Sequence, residues 1–325
     1  MAGWRAILAI ICLVAGGVVV GTGDARAYPT RPITIIVPAA PGGVSDSLAR
    51  AVGQRLGEVW GQQVIIENRG GANHQIGAAQ VAKAPADGHM LMLGAETIFV
   101  INPSLYSRLP YSVKDFAPVT GLVRANQALL SHAKFAPNTV GELLAFAKER
   151  PGSVAYGTSG VGSAGHVNVA LLESMAGVKL QPVHYRGAAP ALNDVVAGHI
   201  QITSVAVSSA LQPWRNGLVK MLGIGSAQRL PGIPEVPTVA ESGVPGYEAT
   251  TWFGLFTTAG TPREVVLKIN AEVQRLFNEE AFRKRFVEPL LYEVMTTSPD
   301  QFNDFIAAET RKWAKVIRDA NLKVD

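Results

Sequence analysis

The sequence predicts an α/β protein of two domains, each a mostly parallel sheet with helices on both faces. Three observations predict it. Short apolar runs alternate with segments of helical periodicity along nearly the whole chain. A strand, a glycine-rich turn with hydroxyls and a helix start occur in that order twice, near Ile33 to Leu56 and again near Val154 to Gly177. Between them the pattern changes at Leu122 to Ser131, and the apolar run Trp252 to Thr257 reads as the return crossing. The 325 residues suffice for two such units. The expected division is 28–126 with 250–325 as the first domain and 127–249 as the second.

Each element follows in order. Ile33 to Val37 is the first strand. A Pro/Gly turn carries it into a helix bearing Leu48, Ala51, Val52 and Leu56, with Ser45 as the expected N-cap. Val64 to Glu67 is a second strand, Ile76 to Ala84 a short helix stopped by Pro85, and Met90 to Leu93 a third strand. Gly94 to Thr97 closes that strand on the sheet edge where open α/β sheets bind ligands. Ala128 to Ser131 is the strand that crosses into the second unit. Thr139 to Lys148 is a helix with a Thr139/Glu142 capping box. The strand Val154 to Tyr156 runs into the loop Gly157 to His166, and the helix behind it carries Val167, Ala170, Leu171 and Met175, with Gly177 as C-cap. Val183 to Tyr185, His199 to Ser204 and Met221 to Gly225 are further strands, and Leu192, Val195 and Val196 mark a helix. Thr261-Pro262 with Glu264, and Ser298-Pro299 with Gln301, start two amphipathic tail helices through capping boxes. These belong to the first domain, and their aromatics read as core.

Composition excludes several classes. Hydrophobic residues are 48% and charged residues 17%, a globular balance. The formal charge is only +4 and no Lys/Arg run is interleaved with aromatics, so no nucleic-acid partner is expected. Arg5, the apolar run Ala6 to Val20 and the small-residue site Ala25-Arg26-Ala27 form the layout of a secretory signal peptide over residues 1–27. That run is shorter than the roughly 18–20 residues that spanning needs. The mature chain is expected to begin at Tyr28, in the periplasm. The only cysteine, Cys12, lies in the leader, and the six histidines lack metal-ligand spacing. No metal or other cofactor is expected.

The chemistry centres on the two glycine-rich turns. A helix start presents unpaired N–H groups and partial positive charge, so it holds an anion without lysine or arginine. Ser163 and His166 suggest a nucleophile and its base. However, Ser163 is not in a Gly-x-Ser-x-Gly elbow, and no acidic residue is placed locally to orient His166. The glycines at 157, 160, 162 and 165 match neither the dinucleotide nor the P-loop spacing. Facing each other across a cleft, the two turns would grip a small dianion at both ends and couple capture to hinge closure, as a solute receptor requires.

A series of motifs then points to one family. They are Tyr28-Pro29-Thr30-Arg31-Pro32-Ile33, Pro41-Gly42-Gly43 with Asp46, Glu67-Asn68-Arg69, Ile76-Gly77-Ala78 and Asp87-Gly88. Further on come Ile101-Asn102-Pro103-Ser104-Leu105-Tyr106, Asp115-Phe116-Ala117-Pro118-Val119, Gly160-x-Gly162-Ser163-x-x-His166, Pro234-x-Val236-Pro237-Thr238-Val239-Ala240-Glu241 and Gly246-Tyr247. In order and spacing, over essentially the whole mature chain, the sequence resembles the substrate-binding receptors of tripartite tricarboxylate transporters, the Bug-type periplasmic group. The resemblance implies a type II periplasmic-binding-protein fold, two α/β domains joined by two crossing strands. It implies a small carboxylate ligand, membrane transporter subunits as partners and no reaction on the ligand. A monomer is expected.

Carried over, Ala40, Gly42, Gly43, Ser45 and Asp46 form the first ligand loop, and Thr158, Ser159, Gly162, Ser163 and His166 the second. Their implied roles are N–H or hydroxyl donation, partly through water, with Asp46 orienting its own loop. Ala95, Glu96 and Val205 complete the set. Ala95, Val205 and Ala206 stand where the family often carries polar groups, and Ala164-Gly165 and Gly70 to His74 are also atypical. These departures predict a carboxylate with an apolar or aromatic body. Glu96 is expected to face solvent; turned inward, it would favour an amine or hydroxyl. Alternatives are a receptor that signals to a membrane sensor and a secreted enzyme.

Overall fold

The computed structural model describes residues 28–319 and 322. The leader, its cleavage site and Cys12 lie outside the described residues. The first unit contains β1 (Ile33–Val37), α1 (Val44–Trp60), β2 (Val64–Asn68), α2 (Gln75–Ala82) and β3 (Met90–Ala95). A π-helical turn (Thr97–Ile101) and α3 (Asn102–Leu105) lead to β4 (Phe116–His132). The second unit holds α4 (Val140–Glu149), β5 (Ala155–Thr158), α5 (Ala164–Ala176), β6 (Gln181–His184), α6 (Ala188–Ala197), β7 (Ile202–Ala206), α7 (Val207–Arg215) and β8 (Val219–Ile224). The chain returns through β9 (Thr250–Thr258) and ends in α8 (Arg263–Asn278), α9 (Glu280–Phe286), β10 (Glu293–Val294) and α10 (Pro299–Asp319).

The strands run in the order β2-β1-β3-β9-β4-β7-β5-β6, with β8 and β10 also paired to β4. The pairs β1–β2, β1–β3, β5–β6 and β5–β7 are parallel, as the alternating pattern predicts. β4 and β9 are antiparallel insertions between the two parallel groups. β4 pairs with β9 as far as Asn126, then with β7 from Gln127 onward. One strand thus belongs to both groups.

Burial explains the runs. Ile33, Ile35 and Val37 pack with Leu48, Val52 and Leu56 of α1 and Ile269, Val273 and Leu276 of α8. Ile36 faces the other way, with Ala78, Val81 and Met92. A strand covered on both faces needs apolar residues on both, which is why it reads as a continuous run. That second cluster continues through Phe99, Trp252, Phe256, Phe302 and Trp313 into Val140, Leu143, Tyr156 and Val167 of the second unit. The tail aromatics are core residues, and α10 reaches α5 as well as β4.

Some local expectations need correction. Gly43, not Ser45, is the N-cap of α1, because Gly43 is the last extended residue and Ser45 already lies in the helix. Pro262 caps α8 with no side-chain bond; the Thr261 hydroxyl instead donates to Thr258 O. At α4 the Thr139 hydroxyl accepts from Glu142 N–H as expected, but the Glu142 carboxylate reaches Asn138 N–H, one residue early. The Ser298/Gln301 box is reciprocal.

Gly254 marks the tightest approach of helix to sheet. It pairs with Gly121 on β4 and Gly94 on β3, and a Cβ there would overlap the Phe302 ring of α10. Gly254→Ala should therefore destabilise the fold by about 1–3 kcal/mol through overpacking. Urea unfolding measures this, and an unchanged midpoint would contradict the packing described.

Candidate functional site

The two glycine-rich turns end in the same local geometry, a helix start without a side-chain cap. At the first, Gly43 and then α1 begin with no side-chain cap, and the first helical bond is Ser47 N–H to Gly43 O. The N–H groups of Val44, Ser45 and Asp46 therefore have no acceptor within the helix. At the second, Ser163 is the N-cap of α5, its side chain makes no cap bond, and Val167 N–H to Ser163 O is the first helical bond. Ala164, Gly165 and His166 present the same unpaired N–H groups. The Ser163 residue is only 8% exposed, and its Oγ is buried without a hydrogen-bond partner. A buried hydroxyl in that state can bond a group from outside the chain.

Asp46 braces the first turn. Its Oδ2 accepts from Gly42 N–H at 3.0 Å and from Arg50 Nε at 3.0 Å, and Arg50 Nη2 pairs with its Oδ1 at 3.0 Å. Burial works to raise this carboxyl's pKa, but hydrogen bonds from Arg50, Gly42 and Asn68 win and hold it below the usual range. Asn68 also donates to Ala39 O. Arg50 was not expected in the site, although its place four residues after Asp46 on one helix face is readable in sequence.

His166 braces the second turn. Its Nδ1 accepts from Gly162 N–H at 3.0 Å, which puts the proton of the neutral ring on Nε2. Burial, aided by His184 at a ring-centroid distance of 5.1 Å, pushes its pKa down to about 4. The imidazole is therefore neutral at physiological pH and its Nε2 is a donor. Thr158 Oγ1 is occupied within the loop, accepting from Gly160 N–H and bonding His184 Nδ1 at 2.8 Å. Ala40, Gly42, Gly43 and Ser159 are exposed, while Ser45 and Asp46 are buried.

The loop between β2 and α2 connects the two turns. His74 Nδ1 bonds Pro38 O beside the first turn, and Asn73 Nδ2 donates to Gly162 O in the second at 3.5 Å. The sequence flags this loop as atypical but gives no sign that it spans the two.

Three predicted site residues are buried in the fold. Ala95 ends β3 paired with Phe253, inside the core shared with α1. Val205, 4% exposed, packs with Ala128, Leu192 and Val195. On β7 it points opposite to Ser204, whose carbonyl lies against Gly165. Glu96 does not face solvent: it is 2% exposed, and its Oε2 accepts from Trp252 N–H where β9 runs past the end of β3. Ala95 and Val205 are both buried among apolar neighbours.

With this geometry in place, similarity to known proteins can be read. The model for "Tripartite tricarboxylate transporter family receptor" matches residues 48–322. The chain belongs to this family. It is 32% identical to Protein BugT of Bordetella pertussis over 321 residues, 98% of each chain. It is 38% identical over 304 residues to a Pseudomonas sp. (strain P51) protein from the tcbD-tcbE intergenic region, covering 92% of this chain and 89% of that one. Among solved structures, R. palustris Rpa4515 with adipate superposes with a TM-score of 0.86 at 33% identity, over 91% of this chain and 100% of the other. MatC from Rhodopseudomonas palustris with bound malate gives 0.81 at 30%, over 89% and 100%. The fold of the receptor is thus the type II periplasmic-binding-protein fold. Among the described residues, no helix is long and apolar enough to cross a membrane.

Burial pushes the Glu96 carboxyl up to about 8, against hydrogen bonds from Thr251 and Trp252 and with Glu309 adding to the rise. The folded-state value lies above the ordinary one, so the stability is full at low pH and lost as pH climbs from about 4.3 toward 8. Glu96→Gln keeps an acceptor for Trp252 N–H and has no proton to lose. Its stability advantage over the wild type should grow by on the order of a few kcal/mol between pH 5 and 8. Parallel urea-unfolding profiles for the two proteins over that range would contradict it.

Proposed function

We propose that this receptor captures a small carboxylate in the periplasm, between the halves 28–126 with 250–325 and 127–249, and delivers it as a monomer to membrane transporter subunits. The leader 1–27 exports it, and the ligand leaves unchanged. The observation that carries this reading is the pair of uncapped helix starts, α1 and α5, with the partnerless Ser163 hydroxyl beside the second. Backbone N–H groups and helix-end dipoles favour a carboxylate without a salt bridge. Arg50, the cation beside the first turn, is engaged by Asp46.

An enzyme reading finds little support in the same geometry. The His166 Nδ1 faces Gly162 N–H, and its low pKa makes it a poor base for the Ser163 hydroxyl. The adipate and malate of the solved relatives support the carboxylate class, and both belong in a first panel.

Native mass spectrometry of protein purified without refolding should reveal a co-purified carboxylate. Calorimetry with adipate, malate and benzoate then ranks the class, and binding of none of them, with no co-purified acid, would sink the proposal. Ser163→Ala should weaken binding of the best acid by roughly 5- to 30-fold, the loss of a hydrogen bond to a charged group, with little change in melting temperature. Because His166 is neutral down to about pH 4, affinity should be flat between pH 6 and 8. A fall through this range would instead indicate recognition by a protonated histidine.

A further inference from the structure

The loop from Gly70 to His74 is strained without an evident structural need. Ala72, Asn73 and His74 have φ of +46°, +50° and +73°, three consecutive non-glycine residues in the left-handed region. Such residues each cost on the order of 1 kcal/mol or more, so something must hold them. On the first half, Asn73 Nδ2 donates to Asn102 Oδ1 at 2.8 Å, and Asn102 Nδ2 returns a bond to Asn73 O at 2.9 Å. Asn102 is fully buried and also reaches Tyr111 OH at 3.2 Å, which donates to Ile98 O. The Asn73 side chain is thereby fixed before it crosses to the second half.

There it meets Gly162. The carbonyl it approaches belongs to the peptide that leads directly into Ser163, and the N–H of the same glycine is held by His166. Leu105 at the end of α3 closes against the same residue: a Cβ on Gly162 would overlap Leu105 Cδ2 and come within 3.3 Å of Asn73 Nδ2. Gly162, at φ +72°, is thus a point where the two halves touch, one residue from the partnerless hydroxyl.

We infer that Asn73 is a positioning residue that latches the two halves across the cleft, fixing the Gly162–Ser163 peptide in the binding geometry, with Leu105 as its steric stop. The inference rests on the receptor reading and adds that closure depends on Asn73, which is not among the groups expected to grip the ligand. It follows that affinity for every ligand is scaled by the latch alike.

The test uses the full chain with Cys12→Ser and spin labels on Gln54→Cys and Glu149→Cys, exposed positions on α1 and α4. Distance distributions are recorded without ligand and with adipate or malate, beside melting temperatures. Asn73→Gly suits the left-handed backbone, so it should lower the closed fraction and weaken acid binding roughly fivefold, one hydrogen bond, without an equivalent loss in melting temperature. Gly162→Ala should abolish the closed population, and adding Leu105→Ala should bring part of it back. Should the Leu105 variant not fold, Asn73→Gly alone decides. Identical distributions in wild type and variants, or a closed fraction that falls only in step with melting temperature, would overturn the latch. Failure of the receptor reading looks different: no acid binds wild type, while the ligand-free distributions still separate the variants.

Discussion

The hydrogen bonding of β4 is the constraint on which the rest depends. Over 17 residues this strand hands its partners from β9 to β7 and β8 at Asn126 and Gln127. Two parallel sheet groups are thereby fixed edge to edge, and the carboxyl ends of β1 and β5 both open toward helix starts. The handover carries its own polar bracing. Gln127 Nε2 donates to Thr251 Oγ1 at 3.0 Å, Asn126 Nδ2 donates to Glu293 Oε1 at 2.6 Å, and Glu96 accepts from Trp252 N–H. Buried polar groups of this kind demand specific partners, so they define how the strands cross far more sharply than apolar packing does. Glu96 is the most exposed to challenge among them. No cation is bonded to it, and its neighbour in charge is another acid, Glu309, so it keeps its proton well above the usual range.

The recognition surface works with neutral groups. Asp46 and Arg50 neutralise each other while shaping the first turn, and His166 is held in one neutral tautomer while shaping the second. Beside them stand the helix-start N–H groups, the Ser163 hydroxyl and the His166 Nε2–H. Such donors give up less hydration when buried than an ammonium or guanidinium would. Asp46 and His166 are each engaged by a backbone N–H, of Gly42 and of Gly162.

The fold was legible where periodicity and punctuation agreed. β1 with α1, β5 with α5 and the Ser298/Gln301 start all come from apolar spacing bounded by glycine, proline or a capping pair. Most of β4 was not legible, since its first ten residues contain Pro118 and Gly121 and shift register at both, and an inserted strand buried on both faces shows no alternation. Nor was α7, which has Pro213 inside it. For the site, the loops could be read because unpaired N–H groups are a property of helix starts. Glu96 was expected to face solvent, but it follows the end of β3 where β9 passes, and that strand crossing buries it. The bond from Asn73 to Gly162, 89 residues apart, has no sequence signature.

Strain and latch belong together in energetic terms. A receptor whose closed state were strongly favoured without ligand would be shut to entry, and one whose closed state were very costly would lose that cost from its affinity. The closed and open states must therefore differ by little. Asn73 adds a long cross-cleft bond of 3.5 Å, worth at most about 1 kcal/mol, and Leu105 adds contact area against Gly162. The left-handed conformations of Ala72, Asn73 and His74 are held on the first half by bonds to Asn102 and Pro38. Placing the strain in a loop that spans both turns keeps it away from the donors that touch the ligand. The donors then determine which anion is bound, and the loop determines how readily the cleft closes around it.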